Sequence, residues 1–288
     1  MNVLSLCDGI SCGRLALQRA GLNVERYFSS EIDNNAIAIS EKNWTDQIRL
    51  GDLNLITHEL IDSMPQINLV MFGSPCQSFS RLGKQEGFDG KSGLFHICQR
   101  ILSYIQSKNT DVKFLVENVD MKEEWKDIIS SKLGVSPIKI DSRLLSPAKR
   151  KRIYWTNIKT DIPQELGLTF DDINDGSQNW IDDNIIRKIE AWKAQQKPLK
   201  NAVVIGAKQK LPCLTARGYN QYHSGMILIT DGNGRYRYLT NLEGERAMTL
   251  PDGYTDAFTG KQSDKFRSHA IGNGWTVDVI AHILKGIK

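Results

Sequence analysis

Short apolar runs alternate with segments of helical periodicity along the first two-thirds of the chain. Apolar runs that predict strands lie at residues 3–6, 27–29, 67–72, 113–116, 138–140 and 153–155. Helices are predicted at 14–20, 35–44 and 94–105, the last from apolar residues at i, i+3, i+4, i+7, i+8 and i+11. This alternation predicts βαβ units, and hence an α/β fold whose mostly parallel sheet carries helices on both faces. Ligands bind such sheets beyond the carboxyl ends of the strands.

The pattern changes after about Asp161, where polar, turn-rich stretches that mix Gly, Asn and basic residues replace the alternation. This change predicts a second, smaller domain of less regular structure. A helical stripe returns over residues 277–284, and we expect that helix to pack back on the sheet domain. The predicted division is residues 1–157 with 264–288 for the first domain and 158–263 for the second.

Composition narrows the class of protein. The 288 residues, 40% of them hydrophobic, suffice for one or two domains with a buried core. No segment approaches the roughly 18 consecutive apolar residues of a membrane helix, and the N-terminus runs into a strand, unlike a secretion signal. The five cysteines form no C-x-x-C pair and the five histidines show no ligand spacing. This disfavours a disulfide framework or a metal site and favours a reducing, cytoplasmic setting. The net charge of +4, from 37 basic and 33 acidic residues, permits a nucleic-acid partner without requiring one.

A glycine-containing turn after the first strand is the first candidate binding feature. Gly9 lets the backbone approach a ligand, and the helix that follows offers free N–H groups. Glu31, about 20 residues further on, is placed to accept hydrogen bonds from ribose hydroxyls, and Asp52 could bind an adenine amino group. Alone, such a turn is compatible with an ordinary βα connection, but the three features together favour an adenosyl ligand. The missing G-x-G-x-x-G spacing disfavours NAD or FAD.

Cys76 lies in a Gly-Ser-Pro-Cys-Gln-Ser turn directly after the strand predicted at 67–72. A lone cysteine is usually an apolar core residue, but the flanking proline and polar residues favour an exposed nucleophile. Because little of an ordinary thiol is ionised at neutral pH, a nearby positive charge or helix N-terminus would be needed to activate it. The glycine-rich residues 81–93 that follow are interpreted as a lid over the site.

Two further motifs place charged side chains at strand ends. Glu117 follows an apolar strand, where a carboxyl group can hold and donate a proton. Arg150 and Arg152 lead into the strand at 153–155, and strand alternation predicts that both project to one face. Guanidinium groups there suit phosphates or base carbonyls. The alternatives for this basic run are a solvated surface or a nuclear import signal, but its continuity with a strand favours a site.

In chain order, these motifs resemble those of the C5-cytosine DNA methyltransferases. The resemblance rests on Asp8-Gly9, Gly13, Glu31, Gly51-Asp52, Ser74-Pro75-Cys76, Glu117-Asn118-Val119, Arg150-x-Arg152, the segment from Arg237 to Pro251, and Gly272-Asn273 before the last helix. It implies the Rossmann-like fold of S-adenosylmethionine-dependent methyltransferases, with the catalytic domain at 1–157 and 264–288. It also implies a small target-recognition domain at 158–263.

The resemblance implies a mechanism as well. After the target cytosine is flipped out of the duplex, the Cys76 thiolate adds to C6. Glu117 donates a proton to N3 and Arg152 holds O2, while Arg150 supports the site or a phosphate. C5 then takes the methyl group of S-adenosylmethionine, which leaves S-adenosylhomocysteine, and loss of the C5 proton expels Cys76.

Further site residues follow from the same resemblance. The cofactor would be held by Asp8, Gly9, Ser11, Gly13, Glu31, Ile32, Asp52, Leu53, Ser74, Pro75, Asn273 and Trp275. The DNA would be contacted by Ser78, Ser80, Arg81, Arg217, Tyr219 and Arg235. The implied partner is double-stranded DNA, and we expect a monomer without a metal. The expected setting is the cytoplasm of a bacterium or a phage-infected bacterium, in the context of restriction–modification.

Three other classes of protein are compatible with parts of this pattern. A tRNA cytosine methyltransferase of the same architecture is disfavoured because residue 74 is Ser and not Pro, and because no Cys-Phe-Thr element occurs. A catalytically inactive DNA-binding homologue should lack Cys76 or Glu117, and both are present. A Rossmann-type oxidoreductase is disfavoured by the missing glycine motif.

Overall fold

The computed structural model describes residues 1–74, 93–182, 184, 186–187, 191, 203–219, 226–260 and 262–287. The chain divides into two units. The first comprises Met1–Asp141, Lys151–Pro163 and Val277–Lys288, and the second comprises Ser142–Arg150 and Gln164–Thr276. The first unit is thus assembled from three separate segments of the chain.

A seven-stranded sheet forms the centre of the first unit. Its strands are β1 (Asn2–Leu6), β2 (Arg26–Ser30), β3 (Ile48–Arg49), β4 (Leu69–Phe72), β5 (Lys113–Val119), β6 (Ile138–Asp141) and β7 (Lys151–Thr156). The strand order is β3-β2-β1-β4-β5-β7-β6. Strands β1 to β5 pair in parallel, whereas β7 runs antiparallel to both β5 and β6. The predicted α/β fold with a mostly parallel sheet is confirmed.

Helices lie between several of these strands and in the second unit. Within the described residues they are α1 (Cys12–Arg19), α2 (Asn34–Asn43), α3 (His58–Asp62), α4 (Gly93–Lys108), α5 (Glu123–Leu133), α6 (Asn241–Ala247), α7 (Ser263–Asn273) and α8 (Val277–Leu284). Helices α6 and α7 belong to the second unit and the others to the first. Helix α8 packs against α1, where Arg19 Nη1 lies 2.6 Å from Asp278 Oδ1. The last helix therefore returns to the sheet unit, as its apolar stripe predicts.

Local signals explain where the elements near the site begin and end. All four residues of β4 are buried because both faces of the sheet are covered there. Helix α1 ends ahead of Gly21, whose φ of 72° suits the left-handed residue after a helix. Asp33 caps α2 by accepting a hydrogen bond from Asn35 N at 2.9 Å. Burial thus explains β4, Gly21 explains the end of α1, and the Asp33 cap explains why α2 begins soon after β2.

One apolar cluster forms the core behind these strand ends. It includes fully buried aromatic side chains from β4, α4, β5 and β7, namely Phe72, Phe95, Phe114 and Trp155. Trp155 Nε1 donates to Ser130 Oγ at 2.9 Å, so the polar atom of the largest core side chain is satisfied. The strands that carry the candidate site are therefore anchored in one packed apolar core.

The second unit contains a small sheet of three short strands. These are β8 (Val203–Ile205), β9 (Ile227–Thr230) and β10 (Tyr236–Tyr238), in the order β10-β9-β8. Strand β9 pairs antiparallel with β10 and parallel with β8. A capping box between Thr240 and Glu243 begins α6, and Glu243 also forms a buried ion pair with Arg237, at 2.6 Å. The region is less regular than the first unit, as the sequence predicts. The sequence pattern did not predict its three strands.

Candidate active site

The turn after β1 is held in an unusual backbone conformation. Cys7, Gly9 and Ser11 have φ angles of 52°, 58° and 60°, a region that costs a non-glycine residue about 1 kcal/mol or more. Gly9 N donates to Glu31 Oε2 at 2.8 Å. The carboxylate that follows β2 therefore fixes the turn that follows β1.

Glu31 has both carboxylate oxygens engaged by backbone N–H groups. Oε2 accepts from Gly9, while Oε1 accepts from Ile32 at 2.8 Å and from Asp33 at 2.9 Å. These charge-assisted bonds hold the carboxylate in one orientation. Because each carboxylate oxygen has two acceptor sites, Oε1 is filled and Oε2 keeps one site for a ribose hydroxyl expected there.

Asp8 supports the turn from inside the protein. Its Oδ1 accepts from the Tyr27 hydroxyl at 2.7 Å, and its Oδ2 accepts from Ser11 Oγ at 2.5 Å. Ser11 Oγ also lies 2.5 Å from Ser40 Oγ. Burial raises the pKa of Asp8, and its hydrogen bonds oppose that effect. The side chains of Asp8 and Ser11 therefore bind each other and hold the turn, and the cofactor contact expected of the two residues stays a prediction.

Four residues expected beside the adenosyl group differ in whether their side chains are accessible to a ligand. Ile32 is 69% exposed, which is unusual for isoleucine. Asp52 caps a short 3₁₀ turn through Oδ1, which accepts from Asn54 N and Nδ2, both at 2.9 Å. Leu53 packs in the core, and Gly13 is buried within α1. Ile32 and Asp52 can therefore meet a ligand with their side chains, whereas Leu53 and Gly13 could offer only backbone atoms.

Glu117 and Arg152 form an ion pair on neighbouring strands. Arg152 Nε lies 2.8 Å from Glu117 Oε1, and the two side chains are 14% and 10% exposed, respectively. Arg152 stands opposite Val119 in the antiparallel β5–β7 ladder, so Glu117, two residues along β5, projects to the same face. Glu117 lies within β5 and not after it, because residues 117–119 continue to pair with β7. A carboxyl and a guanidinium group are thus held side by side in a largely buried position.

Asn118 fixes the chain just ahead of the candidate nucleophile. Its Nδ2 donates to Ser74, at 3.4 Å from the carbonyl oxygen and 3.3 Å from Oγ, and both residues are buried. Sequence reasoning assigned no role to Asn118, although its place beside Glu117 at the end of an apolar strand was the available signal. Five predicted site residues lie outside the described residues, namely Pro75, Cys76, Ser78, Ser80 and Arg81.

Comparison with known proteins connects this arrangement to a family. Residues 1–132 match the family model of the C-5 cytosine-specific DNA methylases. The match takes in β1 to β5 and therefore every strand of the first unit that pairs in parallel. The family predicted from the motifs is confirmed, and with it the enzyme class of DNA cytosine-5-methyltransferase.

The methylase has relatives in phages and bacteria. It is 29% identical to the orphan methyltransferase M.SPRI of Bacillus phage SPR, over 69% of this chain and 48% of that protein. The chain thus spans about half the length of that relative. It is 25% identical to the type II methyltransferase M.HhaI of Haemophilus parahaemolyticus, over 100% of this chain and 94% of that protein. These names agree with the expected phage or restriction–modification context.

The fold of the methylase is similar to that of the solved Entamoeba histolytica methyltransferase EhMeth. The TM-score is 0.77 at 20% sequence identity, and the match covers 100% of this chain and 97% of that chain. This similarity concerns the fold, and it confirms the Rossmann-like methyltransferase architecture.

Arg150 of the methylase has a different environment from Arg152. It belongs to the second unit, is 6% exposed, and donates from Nη1 to Leu214 O at 2.9 Å and from Nη2 to Gly272 O at 3.2 Å. Backbone carbonyls thus accept a hydrogen bond from each terminal nitrogen of Arg150, and its expected role in supporting the site or a phosphate stays a prediction. Because β7 begins at Lys151, strand alternation does not govern Arg150.

The Gly-Asn-Gly segment of the methylase ends α7. Gly272 and Asn273 are the last residues of this helix. Asn273 Nδ2 donates to His269 Nε2 at 3.1 Å, and His269 Nδ1 donates to Ala216 O at 2.7 Å. Asn273 and Trp275 lie in the second unit, and their role toward the cofactor stays a prediction.

One candidate DNA contact of the methylase is excluded by burial. Tyr219 is 1% exposed, and its hydroxyl lies 3.5 Å from Asn241 Oδ1 and against Gly244 in α6. Burial raises the pKa of Tyr219 far above its ordinary value. A side chain enclosed in this way is unavailable to DNA, so the prediction is wrong for Tyr219. Arg217 and Arg235 are exposed.

Two further observations concern the described residues as a whole. None of the helices there has the length and apolar character needed to cross a membrane. No group of three or more His, Cys, Asp or Glu side chains in this part of the chain is arranged to hold a metal ion.

Proposed function

We propose that this methylase transfers a methyl group from S-adenosylmethionine to C5 of a flipped-out cytosine in double-stranded DNA, through a covalent bond between Cys76 and C6. The observation that carries the proposal is the Glu117–Arg152 pair on β5 and β7. The next residue of β5, Asn118, binds Ser74, two positions before Cys76. This arrangement supports a proton donor and a carbonyl-binding cation near the nucleophile.

The residues after β1, β2 and β3 fit an adenosyl cofactor. Glu31 is an oriented carboxylate suited to ribose hydroxyls, and Ile32 offers an exposed apolar surface to an adenine ring. Asp52 offers a carboxylate to the adenine amino group, while Gly9 allows close approach of the backbone. S-adenosylmethionine, when bound, supplies an electrophilic methyl group, and its product is S-adenosylhomocysteine.

The proposed chemistry of the chain's own side chains is that of nucleophilic catalysis. The Cys76 thiolate forms a bond to C6, and the electrons of the C5–C6 double bond become available at C5. Glu117 holds a proton at N3, so that negative charge does not build up on the ring, and Arg152 donates to O2. Once C5 is methylated, a base removes its proton, the C5–C6 double bond re-forms and the bond from sulfur to C6 breaks. Cys76 is then a thiolate again.

We assign target recognition to the region predicted at residues 158–263. Its exposed arginines, Arg217 and Arg235, support contacts with DNA. The curated relatives come from a Bacillus phage and from Haemophilus. We therefore propose that the protein acts in the cytoplasm of a bacterium or a phage-infected bacterium. We also propose that it acts as a monomer.

The proposal is tested by expressing the protein in a bacterial host that lacks cytosine methylation. Chemical-conversion sequencing then maps 5-methylcytosine in the host DNA. We expect methylation in one sequence context from the wild type, none from Cys76→Ala, and the wild-type pattern from Cys213→Ala. Cys213 provides a control because its thiol is exposed and belongs to none of the motifs of the proposed site, and its one described side-chain partner is Arg150 Nη1, at 3.8 Å.

Two additional measurements separate the parts of the proposal. A duplex that carries 5-fluorocytosine at the target should give a denaturant-stable complex with the wild type, since C5 then has no proton to lose, and none with Cys76→Ala. Turnover retained by Cys76→Ala would refute the covalent mechanism. Methyl incorporation into RNA of the same cells, with none into DNA, would replace the DNA substrate by the tRNA alternative.

A further inference from the structure

Arg235 is the last residue of the loop between β9 and β10, and its guanidinium group is held on two sides. Its Nε donates to Asp231 Oδ2 at 2.7 Å, and its Cζ lies 4.5 Å from the centre of the Trp180 ring. The Arg235 side chain is nevertheless 58% exposed, against 14% for Asp231. Among the residues that the structure describes, Nη1 and Nη2 of Arg235 have no hydrogen-bond partner. Two parallel donors are therefore held in a defined orientation and presented outward.

The two groups that hold Arg235 are themselves fixed. Asp231 Oδ1 accepts from Asn233 N at 2.8 Å and from Arg235 N at 3.2 Å, which closes the loop around the carboxylate. The Trp180 indole N–H donates to Gln178 Oε1 at 3.1 Å. The next residue, Ile181, donates its N–H to Tyr236 O at 2.8 Å and so ties this segment to β10. Much of the conformational entropy that an arginine loses on binding is thus already lost here.

Arg235 borders a cleft within the second unit. The cleft has a volume of about 510 Å³, and its lining includes Phe170, Asn174, Gln178, Trp180, Arg235 and Arg237. Arg237 is 2% exposed and donates from both terminal nitrogens to Glu243. It is therefore committed to the fold, and of these two arginines Arg235 is the one available to a ligand.

We infer that Arg235 reads a guanine of the DNA target, donating from Nη1 and Nη2 to O6 and N7, with Asp231 and Trp180 as positioning residues. The inference deepens the proposed function and rests on it. A pair of parallel donors matches the guanine edge in the major groove. A phosphate contact depends chiefly on net positive charge, and the Asp231 carboxylate, 2.7 Å away, offsets the charge of Arg235. The geometry therefore favours a base over the DNA backbone.

The test uses the full-length protein and a pool of random-sequence duplexes. Bound duplexes are selected and sequenced for the wild type, Arg235→Lys, Trp180→Leu and the control Lys208→Gln, which removes an exposed charge from the same unit. We expect the wild type to enrich a guanine at a fixed position. Arg235→Lys, which keeps the charge but loses the paired donors, should reduce that preference roughly 10- to 100-fold and leave the other positions unchanged. Trp180→Leu should reduce the preference for guanine at the same position by a smaller factor. Lys208→Gln should leave the preference unchanged at every position.

Salt dependence distinguishes base reading from a phosphate contact. Binding of one duplex is measured at several salt concentrations for the wild type and Arg235→Gln. A uniform loss of affinity with a salt slope lowered by about one would identify a phosphate contact and overturn the inference. A wild type that selects no sequence, or an Arg235→Lys variant with the full wild-type preference, would also overturn it. Methyl transfer is assayed on the same preparations. Guanine preference without methylation would count against the proposed function while supporting the role of Arg235.

Discussion

Gly272 leaves no room for an added methyl group. A Cβ atom there would lie 2.2 Å from the carbonyl carbon and 2.3 Å from the oxygen of Thr215, and 2.5 Å from Ala216 N. These are backbone atoms that cannot rotate away, so Gly272→Ala forces α7 and the 215–216 backbone apart by about 1 Å. That movement strains two bonds, from Arg150 Nη2 to Gly272 O and from His269 Nδ1 to Ala216 O.

The expected magnitude follows from three contributions. Overpacking costs about 1–3 kcal/mol, and each weakened hydrogen bond costs about 1 kcal/mol. Alanine gains about 1 kcal/mol over glycine inside a helix. The net loss in the free energy of unfolding is about 2–4 kcal/mol, which corresponds to a melting temperature lower by about 5–15 °C for a chain of this size.

Gly206→Ala serves as the matched control in the same unit. A Cβ atom at Gly206 meets only Gln209 Oε1, at 3.9 Å. We therefore expect a change within about 0.5 kcal/mol, or a gain of up to about 1 kcal/mol from the stiffer unfolded chain. Calorimetric melting and urea unfolding of the two variants measure the difference. Equal stability of Gly272→Ala and the wild type would refute the close approach of α7 to residues 215–216.

Two further predictions concern charged groups of the first unit. Arg152→Met leaves the Glu117 carboxylate without its ion partner in a largely buried position, so urea unfolding should show a loss of about 3 kcal/mol. Adding Glu117→Leu should recover part of that loss, and a purely additive double variant would contradict the pairing. For Asp8, burial raises the pKa above its ordinary value of 3.8, so the folded state binds that proton more tightly than the unfolded state. The resulting stabilisation is complete below the unfolded pKa and is lost as the pH rises through the raised value. The free energy of unfolding of Asp8→Asn, measured in urea, should therefore rise relative to that of the wild type from about pH 3 to pH 7. A difference that does not change with pH would count against the raised pKa of Asp8.

Most strands of the first unit are visible in the sequence because strands buried on both faces form continuous apolar runs. This holds for β1 and β4, whose residues are buried almost throughout. The two-residue β3 is too short to leave such a run. The carboxyl end of β5 was missed because its polar residues, Glu117 and Asn118, belong to the strand through pairing with β7, more than 30 positions away in sequence.

Site residues directly after strands were predictable, because chain order places Glu31 and Asp52 at neighbouring strand ends. The environments of Arg150 and Tyr219 depend instead on contacts with distant segments. Arg150 is turned inward by carbonyls at Leu214 and Gly272, and Tyr219 is enclosed beside α6. No local sequence pattern encodes such contacts, so the surroundings of these two side chains could not be predicted.

The return of α8 to α1 has a consequence for synthesis of the chain on the ribosome. Residues 164–276, nearly the whole second unit, must be translated between the end of β7 and the start of α8. At about 5–20 residues per second, this takes roughly 6–23 s. Throughout that interval the apolar face of α1 that receives α8 has no helix to cover it. The first unit is the first to emerge but the last to complete its core, so the nascent chain exposes an apolar surface on α1 while the second unit is being made.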